Sequence, residues 1–97
     1  MTGAAVTGWG TALPSRELTN EELAPRIGLS SEWIFERTGI RSRRVVGPGE
    51  TTSTLAIPAA RAALEQAGRE ADELDAIILA TCTPDYVMPA TAPALMR

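Results

Sequence analysis

The sequence predicts an α/β fold, and three stretches carry that prediction. Residues 74–81 form a nearly continuous apolar run (Leu74, Ala76, Ile77, Ile78, Leu79, Ala80), the pattern of a strand buried on both faces. Residues 51–68 place Leu55, Ala59, Ala60, Ala63, Leu64 and Ala67 at helical spacing. Residues 3–10 hold Ala5, Val6, Thr7 and Trp9 between glycines, which reads as a short opening strand with Trp9 packed. Strand, helix and buried strand make a βαβ-like order with a mostly buried sheet.

In chain order, Leu13-Pro14-Ser15 is a turn, because Pro14 pushes its predecessor out of helical geometry. Thr19 or Asn20 then caps a short helix, with Glu22 placed to complete a capping box from Thr19. Pro25 and Gly28 limit that helix to a couple of turns. Ser30 or Ser31 caps the next one, Glu32 sets an acid against its dipole, and Gly39 stops it. Residues 40–46 alternate without a clean apolar face, so they read as an irregular extended segment or edge strand. Gly47-Pro48-Gly49 breaks it.

Thr52 or Ser53 is placed to cap the long helix, and Gly68 ends it. Its many alanines imply close approach to a neighbouring element. Pro58 deletes one backbone donor and should kink the helix or delay its start. Residues 69–73 read as a solvated charged loop, and residues 90–97 as the start of a further helix with Pro93 in its first turn.

Composition narrows the function classes. A chain of 97 residues with 44% hydrophobic and 22% charged residues is one small globular domain at most. No apolar run approaches the roughly 20 residues that span a bilayer, and no basic segment followed by an apolar core opens the chain. The single cysteine cannot form an internal disulfide, which makes a cytoplasmic setting the default. Net charge of −3 argues against general nucleic-acid binding, although all nine basic residues are arginine and Arg37, Arg41, Arg43 and Arg44 are clustered. With no histidine present, the chain holds no Cys–His or Ser–His unit and no histidine metal site.

The stretch richest in chemistry is residues 30–44, with Trp33, the sole phenylalanine and four arginines. Trp33 and Arg37 are four apart and share a helix face. An aromatic plane beside a guanidinium plane can hold a flat ring, and a nearby cation can hold phosphate. The alternatives are a tryptophan plugging a core and arginines facing solvent. Cys82, at the end of the apolar run, reads as a small buried apolar residue, since no histidine is present to activate it.

Word order adds to this. Glu32-Trp33-Ile34 followed by Arg37-Thr38-Gly39-Ile40-Arg41 resembles a segment of the β-ketoacyl-acyl-carrier-protein synthase III family, condensing enzymes of the thiolase-like fold. Thr7-Gly8-Trp9-Gly10-Thr11-Ala12-Leu13-Pro14 is similar to that family's opening strand and turn, and Thr19-Asn20-Glu21-Glu22-Leu23 to its T-N-x-x-L cap. Ala80-Thr81-Cys82-Thr83-Pro84, ending at Met88-Pro89-Ala90, resembles the strand and loop that lead to the nucleophile.

The resemblance implies that residues 1–97 are an incomplete N-terminal half-domain of an αβαβα fold, ending before the nucleophile segment. It implies an enzyme that moves an acyl group from acyl-CoA to an active-site cysteine outside this chain. Condensation with malonyl-acyl-carrier protein then loses carbon dioxide, in fatty-acid or polyketide initiation. The isolated chain would hold no catalytic residue and no permanently bound cofactor, and acyl-CoA would be a substrate. Trp33 would be the adenine platform, Arg37 its nucleotide partner, and Thr38 a neighbour of that channel. Cys82 would line the acyl pocket. Met88 stands where many members have a phenylalanine that crosses the interface of a homodimer; read from residue type alone it is an adaptable loop filler. The rival is a non-catalytic CoA-binding or partner subunit derived from the family.

Overall fold

A computed structural model describes residues 3–96. The chain folds as two compact units, one formed by Leu13–Gly49 and the other by residues 3–12 with residues 50–96.

The Leu13–Gly49 unit runs β1 (Arg16–Thr19), α1 (Asn20–Ile27), α2 (Ser31–Thr38) and β2 (Ser42–Val45). The strands pair antiparallel, from Arg16 opposite Val45 to Thr19 opposite Ser42. Within residues 40–46, Ser42–Val45 is therefore a strand, and its partner is a stretch that carries no strand signal of its own. Thr19 caps α1 through the Glu22 amide, and the Glu22 carboxylate accepts from the Thr19 amide, closing the capping box. Gly28, at φ 69°, ends the helix in the left-handed conformation. Leu18, Ala24 and Ile34 are the buried apolar residues, one each from β1, α1 and α2.

Asn20 is the buried polar centre of this unit, 3% exposed. Its backbone N–H donates to the Arg41 carbonyl (3.0 Å) and its Nδ2 to the Ile40 carbonyl (2.7 Å). Its Oδ1 accepts from Arg43 Nη2 at 2.6 Å. Every polar group of the side chain is matched, as burial requires. The cap is Thr19, and Asn20 is the first helical residue.

In the other unit α3 (Thr52–Ala67) is capped by Thr51, whose hydroxyl accepts from the Thr54 amide, rather than by Thr52 or Ser53, which are already helical; Gly68 stops it as expected. Pro58 lies inside α3 and does not delay its start, because the Thr51–Thr54 box has already closed the first turn. The alanines do admit a close neighbour. Residues 8–10 lie against α3, and a Cβ on Gly8 would stand 2.9 Å from the Ala67 nitrogen. A Cβ on Gly10 would stand 2.7 Å from the Ala63 nitrogen. The Trp9 amide donates to Gln66 Oε1 at 2.6 Å, while the Trp9 residue is 68% exposed rather than packed.

Two further expectations are corrected here. Among the described residues the β1–β2 ladder is the one sheet, so residues 3–10 and 74–81 form no strand and have no ladder partners. Residues 74–81 are not a strand buried on both faces either: Leu74 is 46% and Ile78 93% exposed. The apolar pattern reports a demand for cover, and cover needs partners that the described residues do not supply. Beside the run lies an open groove of about 910 Å³, lined by Ile57, Leu64, Leu74, Ile77 and Leu95 among others. The charged loop tightens into a 3₁₀ turn (Ala71–Glu73) with an Arg69–Glu73 ion pair at 3.0 Å. The C-terminal stretch is a 3₁₀ turn (Ala92–Met96), with Pro93 its second residue.

Candidate functional site

α2 is built for display. Ser30 Oγ accepts from the Trp33 amide at 3.1 Å and Gly39 ends the helix at φ 69°, so only eight residues are helical. Ile34 turns into the core at 5% exposure, which leaves its neighbour Trp33 at the surface, 43% exposed. One helical turn on, the Arg37 guanidinium carbon lies 5.3 Å from the centre of the Trp33 ring, within cation–π range. In this unit the tryptophan is thus half-exposed, with a cation beside its ring, and the buried residue of the helix is Ile34.

Thr38 is adjacent, but its hydroxyl is already engaged. It donates to the Ile34 carbonyl at 2.6 Å and accepts from the Ile40 amide at 3.0 Å, closing the helix end. A second pair escaped the sequence reading: the Arg41 guanidinium carbon lies 4.1 Å from the Phe35 ring centre. That pairing crosses the left-handed Gly39 turn, so helical spacing gives no hint of it. The remaining clustered arginines serve the unit itself. Arg43 holds Asn20 and donates to the Leu18 carbonyl at 3.3 Å, and Arg44 donates to the Pro14 carbonyl at 3.4 Å. The four arginines therefore do not form a free basic stripe.

Trp33, Arg37 and Thr38 come together in the Leu13–Gly49 unit; Cys82 and Met88 lie on a loop of the other. Cys82 is exposed, which corrects its reading as a small buried residue. Met88 is 84% exposed, so it fills no loop core in this chain, and the Met88–Pro89 peptide bond is cis. This loop is fastened to the start of α3. The Thr52 hydroxyl donates to the Thr83 carbonyl, and the Ser53 amide donates to Asp85 Oδ1 at 3.0 Å. The Asp85 amide in turn donates to the hydroxyl of buried Thr91 at 3.0 Å. Nothing in the sequence signals Asp85 beyond its place after a proline.

The Ser53 side chain, then the Ser53 amide, with smaller help from Thr51 and Thr52, hold the Asp85 carboxyl below its ordinary value of 3.8. A depressed folded-state value stabilises the loop's attachment above the unfolded value, and the contribution is lost as pH falls through the folded one. We expect the Ser53 amide resonance to titrate with a midpoint below 3.8 and to lose that titration in Asp85→Asn. A midpoint at or above the ordinary value would contradict this attachment.

Among the described residues no cluster of His, Cys, Asp or Glu could hold a metal ion, and no helix is long and apolar enough to cross a membrane. No family model matches the chain. Individual proteins do. The chain is 63% identical over 89 residues to the β-ketoacyl-[acyl-carrier-protein] synthase III of Roseiflexus sp. (strain RS-1), covering 92% of this chain and 27% of that one.

The chain belongs to the β-ketoacyl-acyl-carrier-protein synthase III family.

It matches the N-terminal region of that family and spans about 30% of its members' length. Solved structures of the family agree. The 3-oxoacyl-[acyl-carrier-protein] synthase III of Aquifex aeolicus VF5 superposes with a TM-score of 0.86 at 44% identity, over 96% of this chain and 30% of that one. The priming β-ketosynthase of the R1128 polyketide biosynthetic pathway gives 0.84 at 40% identity, over 93% of this chain and 27% of that one. The fold is thus that of the N-terminal region of these synthases, a mixed α/β region of the thiolase-like class.

Proposed function

We propose that this chain is the acyl-CoA-gripping N-terminal part of a synthase III-type condensing enzyme, cytoplasmic and homodimeric when complete. In that enzyme a cysteine thiolate outside this chain attacks the thioester carbonyl of acyl-CoA, and the CoA thiol leaves. Malonyl-acyl-carrier protein then loses carbon dioxide, and the resulting enolate carbon attacks the acyl-enzyme thioester. The cysteine thiolate is released as the carbon–carbon bond forms. The product opens a fatty-acid or polyketide chain. Residues 1–97 supply no reacting group; they supply grip.

The observation that carries this reading is the Trp33–Arg37 pair, presented at the surface of a chain 63% identical to a synthase III. Trp33 stacks on adenine, and Arg37 faces the nucleotide phosphates while remaining close enough to stiffen the ring's orientation. Thr38 squares the end of the helix beneath them. Cys82 and Met88, on the loop anchored by Asp85, belong to the acyl-pocket and dimer side of the site.

Titration of the chain with coenzyme A tests the grip, followed through the Trp33 indole N–H resonance. We expect a saturable shift that desulfo-coenzyme A reproduces, since the thiol lies far from the adenine. A shift confined to Trp9, or none at either tryptophan, would remove the nucleotide reading.

A further inference from the structure

We propose that Asn20 is a positioning residue: through the turn after α2 it fixes the orientation of the Trp33–Arg37 pair. The importance of that orientation for coenzyme A rests on the function proposed above; the positioning itself does not. α2 has two visible anchors. One is apolar, with Ile34 buried in the unit's core. The other is a chain of hydrogen bonds at its C-terminal end. Asn20 Nδ2 holds the Ile40 carbonyl at 2.7 Å, and the Ile40 amide donates to Thr38 Oγ1 at 3.0 Å. Thr38 Oγ1 donates in turn to the Ile34 carbonyl at 2.6 Å. The Asn20 amide adds a bond to the Arg41 carbonyl at 3.0 Å, and Arg41 lies against Phe35 on α2.

Apolar packing of α2 on α1, centred on Ile34, is non-directional and sets the helix's rotation less strictly than hydrogen bonds do. The second anchor fixes the rotation, and Trp33 and Arg37 each directly precede one of the anchored residues, Ile34 and Thr38. Arg43 completes the arrangement by holding Asn20 Oδ1 at 2.6 Å, which directs Nδ2 toward Ile40. The asparagine amide is suited to this because one face must accept from a guanidinium while the other donates to a carbonyl.

Asn20→Asp separates the two faces. Aspartate keeps an acceptor for Arg43, now charge-assisted, but has no donor for Ile40 and sets an oxygen against its carbonyl. Ala24→Gly is the comparator: it weakens α1 without touching the turn. The first readout is the upfield shift of the Arg37 side-chain protons lying in the field of the Trp33 ring, taken without ligand. We expect Asn20→Asp to lose most of that shift and Ala24→Gly to keep it while folded. The second is coenzyme A affinity, expected to fall roughly tenfold in Asn20→Asp, with little additional loss when Trp33→Ala is already present. An unchanged Arg37 shift in Asn20→Asp, or equal losses in both variants, would overturn the proposal. Should the wild-type chain fail to bind coenzyme A, the nucleotide reading falls, and the ligand-free Arg37 shift still decides the role of Asn20.

Discussion

Trp33→Ala is expected to weaken acyl-CoA use by one to two powers of ten in a chimera joining this chain to the remainder of the Roseiflexus synthase. Base–aromatic stacking contributes about 1–3 kcal/mol per base, and about 1.4 kcal/mol is a factor of ten. The loss should fall on acylation by acyl-CoA. Condensation of a pre-acylated enzyme with malonyl-acyl-carrier protein should change little, because the nucleotide has already departed. Thermal stability should also change little, since 43% of Trp33 is exposed and Ile34 is the core residue. Separate measurement of the two half-reactions, with a melting curve beside them, checks each part. Equal losses in both, accompanied by a large drop in melting temperature, would make Trp33 a packing residue after all.

Gly10→Ala should be the most damaging single-methyl change in the unit that carries α3. The added carbon would press on the Ala59 carbonyl oxygen and lie 2.7 Å from the Ala63 nitrogen and 2.8 Å from the Ala62 Cβ. Two of these three neighbours are helix backbone, which cannot swing aside as a flexible side chain does. Overpacking of this kind typically costs about 1–3 kcal/mol, and here the segment must lift from α3 to relieve it. Gly3→Ala provides the control, because a Cβ there meets nothing within 4 Å. Urea midpoints of the two variants should differ clearly; coincident midpoints would show that residues 8–10 do not lie on α3 as described.

Helix ends were the most legible feature of the sequence, because caps are local chemistry. Ser30, Gly28, Gly39 and Gly68 each act within four residues of the groups they satisfy. Strand pairing was far less legible. Arg16–Thr19 gave no strand signal because its extended form depends on Ser42–Val45, more than twenty residues away. The 74–81 run misled for a different reason: hydrophobicity records what a segment requires, and the partners that would meet the requirement are not encoded in it.

At the site, the Trp33–Arg37 pair was legible from helical periodicity alone. Phe35–Arg41 and the Asn20 lock were not, since both depend on where a glycine turn sends the chain. Asn20 stands in a motif that local reading assigns to capping. Its larger role emerges only when Arg43 is brought against it.

The antiparallel pairing of β1 and β2 has a consequence for engineering. The chain enters the Leu13–Gly49 unit and leaves it on adjacent strands, so that stretch is a closed excursion, as a hairpin is. Because Arg16 lies opposite Val45, the ends of the excursion stand side by side, and its length can change without changing the distance its ends must span. Because loop-closure entropy grows only logarithmically with length, the change in closure cost is small. Under the function proposed above, the stretch bearing Trp33 would be a cassette, and exchanging it whole for that of a relative would be expected to change the grip on coenzyme A.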